Sequence, residues 1–110
     1  MDRQIDKKIR IVILGGGINS AVGRAHLSAL SIDRHFELVG GCFSLDNNER
    51  IDSINEYKLG KSFKDYSSLD EIIQDSSSYD LVLNLTPTTL HFSTNSKIAS
   101  AGINFISEKM

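Results

Sequence analysis

The chain has 110 residues, 40% hydrophobic and 24% charged, with a formal net charge of -2 at pH 7. That length supports one domain with a single core but not a nucleotide domain joined to a substrate domain, and the composition excludes a disordered or fibrous chain. Lys and Arg are scattered rather than gathered in a stripe, which sets nucleic-acid binding aside, and no apolar stretch approaches the roughly 20 residues of a membrane span.

Met1 to Lys8 is polar and charged, without the apolar segment of a secretory leader. Ile9 to Leu14 is continuously apolar apart from Arg10 and rich in β-branched residues, which predicts a central strand covered on both faces. Three glycines follow, Gly15 to Gly17, and Val22, Ala25, Ala29 and Ile32 then recur at helical spacing. They predict a first helix ending near Ser31, lying close to the sheet on its small residues.

Phe36 to Phe43 reads as the second strand, and its Cys42 as a buried, inert thiol. As the only cysteine, Cys42 excludes a disulfide within the chain and fits a reducing cytoplasm. Asn47 to about Lys58 predicts a second helix with Ile51 and Ile54 inward and Leu59-Gly60 at its exit, followed by a short extended piece from Lys61 to Phe63.

Ser68-Leu69-Asp70-Glu71 has capping-box spacing and opens a brief helix carrying Ile72 and Ile73, closed by the polar loop Ser76 to Ser78. Asp80 to Leu85 is the next strand and stops at Thr86-Pro87, because proline removes a ladder donor and restricts the residue before it. Thr88 or Thr89 is expected to cap a helix on which Leu90, Thr94, Ile98 and Ala101 share a face, with Gly102 as its C′ residue and Ile103 to Ile106 as the last strand.

Strands alternating with helices predict a Rossmann-like α/β fold: a doubly wound parallel sheet in three α/β/α layers, with strand order 3-2-1-4-5. In such a sheet the first strand-to-helix turn lies where the order reverses, and ligands of open α/β sheets bind there. Gly15-x-Gly17-x-x-Ser20 is an imperfect dinucleotide fingerprint, with serine at the third glycine position and Gly23 three residues on. At the end of the second strand, where an acidic residue normally receives the ribose of NAD, stand Ser44, Leu45 and Asp46. Asp46 suits either a ribose contact or an N-cap of the second helix. No Arg or Lys precedes Arg50 there, which favours NAD over NADP.

Three motifs occur in order: Gly15-x-Gly17-x-x-Ser20-x-x-Gly23-x-x-His26-x-x-Ala29-Leu30, then Thr86-Pro87-Thr88-Thr89-Leu90-His91, then Ala101-Gly102-Ile103-Asn104-Phe105-Ile106-Ser107-Glu108-Lys109. Together they resemble the Gfo/Idh/MocA oxidoreductases, over the stretch from about Ile9 to the last residue. The resemblance implies an N-terminal Rossmann domain for NAD or NADP, followed by a larger α/β domain with substrate and oligomer contacts. It also implies hydride transfer to or from sugars, inositols or related polyols. By matching position, Gly15, Gly17, Ile18, Asn19 and Ser20 line the pyrophosphate and Ser44 lies near the adenosine ribose. Thr86, Pro87 and His91 then border the nicotinamide half, Glu108 stands beside the cofactor, and Lys109 touches substrate and assists proton transfer. His26 is expected to be structural and His35 to lie on a surface loop; no metal site is expected.

The family's proline after Glu-Lys is replaced by Met110, the last residue. The expectation is therefore a cofactor-binding fragment that lacks the substrate domain and is not catalytically competent alone. A stand-alone nucleotide-binding or regulatory module is the alternative. The final strand, Ile103 to Ile106, is expected to leave an open sheet edge with a tendency to self-associate.

Overall fold

A computed structural model of the chain describes residues 8–17 and 20–107, apart from the side chains of Val22, Ser31 and Thr88. The elements run β1 (Ile9–Gly15), α1 (Ala21–Ile32), β2 (Phe36–Cys42), α2 (Asn47–Glu56), β3 (Lys64–Asp65), α3 (Leu69–Gln74), β4 (Leu81–Leu85), α4 (Thr88–Ser100) and β5 (Phe105–Ser107). The five strands form one sheet in the order β3-β2-β1-β4-β5, with all four pairings parallel. The expected fold and strand order are therefore observed.

β1 is central because both of its faces are apolar. Ile11 and Ile13 pack with Leu27, Phe43, Leu83 and Leu85 on the face carrying α1 and α2. Val12 and Leu14 pack with Ile72, Val82 and Ile98 on the face carrying α3 and α4. The alternation follows from the two-residue period of a strand, and burial on both faces is what a parallel sheet requires.

The helix faces differ from the periodic expectation. On α1, Ala25, Ala29 and Ile32 are exposed, whereas Gly23 and Leu27 are buried and Leu30 half-buried. On α2, Ile51 is exposed and the inward stripe is Arg50, Ser53, Ile54 and Tyr57. A buried arginine is tolerable because its Nε donates to Asp65 Oδ1 at 2.9 Å, tying α2 to β3. β3 lies at Lys64–Asp65 rather than over Lys61 to Phe63, because Lys58 at φ 58° and a turn from Gly60 to Phe63 delay the chain before it pairs with Gly40 and Gly41.

Neither Thr88 nor Thr89 caps α4; Pro87 holds the N-cap position and makes no side-chain cap bond. Gly102, at φ +74°, is the expected C′ residue, and the amide of Ile103 reaches back to the Ile98 carbonyl. In the Ser68 capping box, Ser68 Oγ accepts from the Glu71 amide, but Glu71 turns its carboxylate to the amide and hydroxyl of Ser67. His35 is exposed beside Asp33, and His26 is half-buried on α1.

Under the β3–α3 edge, Asp75 accepts from Lys64 Nζ at 2.8 Å, Tyr66 Oη at 2.6 Å and Ser78 Oγ at 2.8 Å. These bonds, that from Lys64 foremost, hold its carboxyl at about 2, below the ordinary 3.8. A carboxyl depressed in the folded state stabilises fully above its unfolded pKa and loses that contribution as pH falls toward 2. The urea midpoint is accordingly expected to fall between pH 5 and pH 3, and to fall less in Asp75→Asn. Equal slopes in the two proteins would remove Asp75 from the acid response.

Candidate functional site

The strand tips of β1, β2 and β4 converge on the turn from Gly15 to Gly17. Gly15 and Gly16 adopt φ +81° and +77°, a region that L side chains rarely enter. A Cβ on Gly15 would also stand 3.0 Å from the Leu85 carbonyl carbon and oxygen, so the tips of β1 and β4 meet backbone to backbone.

Ser20 closes the turn and opens α1: its amide donates to Gly17 O at 2.9 Å and its Oγ accepts from the Gly23 amide at 2.9 Å. Gly23 packs against Gly16 so closely that a Cβ there would lie 2.3 Å from Gly16 O. The displaced third glycine thus performs the helix-to-turn packing that the fingerprint requires. The first turn of α1 carries no acidic side chain of its own, and the positive end of the helix faces the turn.

Tyr57 supports the turn from below. Its hydroxyl lies 3.1 Å from Gly16 O and 3.2 Å from Gly17 O and shares its single proton between them. Burial pushes this phenol's pKa up, so the donor proton is retained.

On the opposite side, Asn84 is fully buried in β4 and uses its whole amide. Oδ1 accepts from the Thr86 amide at 3.0 Å and Thr86 Oγ1 at 2.7 Å, while Nδ2 donates to Thr94 Oγ1 and Asn95 Oδ1, both at 2.8 Å. The Thr86–Pro87 turn is therefore held from beneath by one side chain. From Asn95 the network continues to Ser107 Oγ at 3.2 Å, which lies 3.4 Å from His91 Nδ1. His91 Nε2 is buried and has no hydrogen-bond partner among the described residues.

A cleft of about 580 Å³ opens between these tips. Gly15, Ser44, Thr86 and Pro87 line it, as do Leu45, Glu49, Leu90 and Lys97. Glycine at the turn, a helix N-terminus, apolar walls and a few polar groups at the strand ends form a surface that fits a dinucleotide. Cys42 also lines the cleft; burial foremost raises its thiol pKa, as suits an unreactive side chain.

Of the residues singled out from sequence, Gly15, Ser44, Thr86 and Pro87 meet at the cleft, whereas Gly17 and Ser20 belong to the adjoining turn and helix start and do not line it. His91 is on α4 and does not line the cleft. Ile18, Asn19, Glu108 and Lys109 lie outside the described residues. Asp46 is the N-cap of α2, accepting from the Glu49 amide at 2.9 Å.

Sequence reasoning missed Glu49, Tyr57 and Asn84. Glu49 carried a faint signal, a carboxylate in the first turn of the helix after β2. Asn84 carried another, a polar residue inside an apolar strand. Among the described residues no helix is long and apolar enough to cross a membrane.

The family model described as "Oxidoreductase family, NAD-binding Rossmann fold", that of Gfo/Idh/MocA, matches residues 9–109. No curated protein matches the chain significantly. Among solved structures, an oxidoreductase from Sinorhizobium meliloti is 28% identical with a TM-score of 0.76, over 92% of this chain and 29% of that one. An inositol dehydrogenase homolog from Azotobacter vinelandii, complexed with NAD+, is 23% identical with a TM-score of 0.75, over 92% and 27%. The WlbA dehydrogenase from Bordetella pertussis, in complex with NADH and UDP-GlcNAcA, is 22% identical with a TM-score of 0.74, over 92% and 28%. The last two likenesses are evidence of fold. The chain spans less than a third of each of these proteins.

Proposed function

Because this chain belongs to the Gfo/Idh/MocA oxidoreductase family through its NAD-binding Rossmann domain, we propose that it holds NAD(H) for hydride exchange with a sugar, inositol or related polyol. The observation that carries the proposal is the Gly15–Gly17 turn, packed on Gly23 and opening onto the cleft beside Thr86 and Pro87. Gly15, Gly17 and Ser20 are assigned to the pyrophosphate, together with Ile18 and Asn19. Ser44 borders the adenosine ribose, while Thr86, Pro87 and His91 border the nicotinamide half. Glu108 is placed beside the cofactor.

The nicotinamide supplies the hydride acceptor or donor. This chain's residues bind it and orient it. Lys109 is assigned the substrate hydroxyl, where a cation favours the alkoxide-like state as the hydride leaves. Polyol contacts, oligomer contacts and the closure of the site are assigned to a second domain of a longer protein. The 110 residues alone are expected to bind nucleotide without turnover. A cytoplasmic setting accords with a buried thiol that stays reduced.

Calorimetric titration with NADH, NADPH and S-adenosylmethionine tests this directly. Saturable binding of a nicotinamide nucleotide, with no heat from S-adenosylmethionine, is expected. A chain that is folded by circular dichroism yet binds no nicotinamide nucleotide would sink the proposal.

A further inference from the structure

We propose that Glu49, on the first turn of α2, selects NAD(H) over NADP(H) by taking the adenosine ribose hydroxyls in place of an acid at the tip of β2. The inference rests on the NAD(H) function proposed above and assigns its cofactor specificity to one side chain.

Three observations carry it. First, the residue at the β2 tip, Ser44, is already engaged: its hydroxyl donates to Glu49 Oε1 at 3.0 Å and accepts from the Asp46 amide at 3.1 Å. A serine has one proton to donate, and here Glu49 receives it. Second, the Glu49 carboxylate spans from that tip toward the glycine turn. A Cβ on Gly17 would lie 3.5 Å from Glu49 Oε2, and Glu49 lines the cleft together with Ser44 and Leu45. This places an acceptor-only group between the second strand and the phosphate turn, where a Rossmann ribose is read.

Third, the cation next to Glu49 on α2, Arg50, is turned elsewhere. Arg50 is buried against Asp65, its Nε 2.9 Å from Oδ1, and Lys97 stands on the α4 wall with Nζ 4.0 Å from Asp70 Oδ1. Asp46, the other acid at the tip, turns its Oδ2 to the Glu49 amide as the N-cap of α2. A carboxylate accepts hydrogen bonds from ribose hydroxyls and repels a 2′-phosphate, so one group both attracts the first cofactor and rejects the second.

The test compares Kd for NADH and NADPH in the wild-type chain, Glu49→Gln and Glu49→Asp, by calorimetry, with a thermal melt of each protein. Glutamine keeps an oxygen for the Ser44 hydroxyl and removes the charge. It is expected to weaken NADH binding about tenfold while improving NADPH, so that the preference narrows or inverts. Aspartate keeps the charge with a shorter reach, and is expected to weaken NADH while still excluding NADPH.

Equal weakening of both nucleotides in Glu49→Gln would assign Glu49 a structural role only and overturn the proposal. A wild-type preference for NADPH would do the same. If the folded wild-type chain bound neither nucleotide, the NAD(H) function would fail first and this inference with it.

Discussion

Replacing Gly23 with alanine is expected to destabilise the domain by about 2–3 kcal/mol and to weaken NAD(H) binding by about tenfold or more. Inside a helix, alanine is ordinarily better than glycine by about 1 kcal/mol. At this site that gain is outweighed, because the new methyl would stand 2.3 Å from Gly16 O and 2.6 Å from Gly16 Cα. Both are backbone atoms of a turn clamped by Tyr57, so no flexible side chain is available to yield. Either α1 moves away from the turn or the turn moves into the cleft, and each displaces the amides assigned to the pyrophosphate. Urea unfolding followed by tyrosine fluorescence, paired with NADH titration, measures both effects. An alanine variant as stable as the wild type would show that α1 does not approach the turn so closely.

Asn84→Ala is expected to lower stability by about 3 kcal/mol and to loosen the Thr86–Pro87 turn. The alanine leaves a small void, and it leaves the Thr86 amide without the acceptor it meets at 3.0 Å in a buried setting. Each such orphaned group costs about 1–3 kcal/mol, more than a typical net hydrogen bond contributes. Thr94 and Asn95 are only half-buried and can turn to water, so most of the loss falls on the Thr86 side. Hydrogen exchange at the Thr86 amide, read beside the urea midpoint, separates local loosening from global destabilisation. If the Thr86 amide stayed as protected as in the wild type, Asn84 would not be what holds this turn.

The alternation of strands and helices was legible in the chain, because β1, β2 and β4 announce themselves as short apolar runs and each helix by a cap or glycine at its boundary. The strand order followed from right-handed crossovers and short connections. Part of the cleft was legible too: Gly15 and Gly17 by their place after the first strand, and Thr86 and Pro87 by the way proline ends β4. The inward faces of α1 and α2 were read less well. Apolar periodicity pointed to Ala25, Ala29, Ile32 and Ile51, all exposed, whereas Gly23, Arg50 and Ser53 are buried. Arg50 is inside because of what it meets, and Asp65 lies far enough along the chain that no local pattern records the pairing.

By itself the sequence determined the α/β class, the position of the glycine turn at the reversal of the sheet and the family resemblance, since these depend on local chemistry and its spacing. Only the tertiary structure decided that Gly23 serves as the packing glycine, that Tyr57 holds the turn from 40 positions along the chain, and that Ser44 gives its proton to Glu49. The physical reason is that a hydrogen bond or a close approach depends on distances in space. Those distances are set when β1, β2 and β4 come together and bring residues remote in sequence to one cleft.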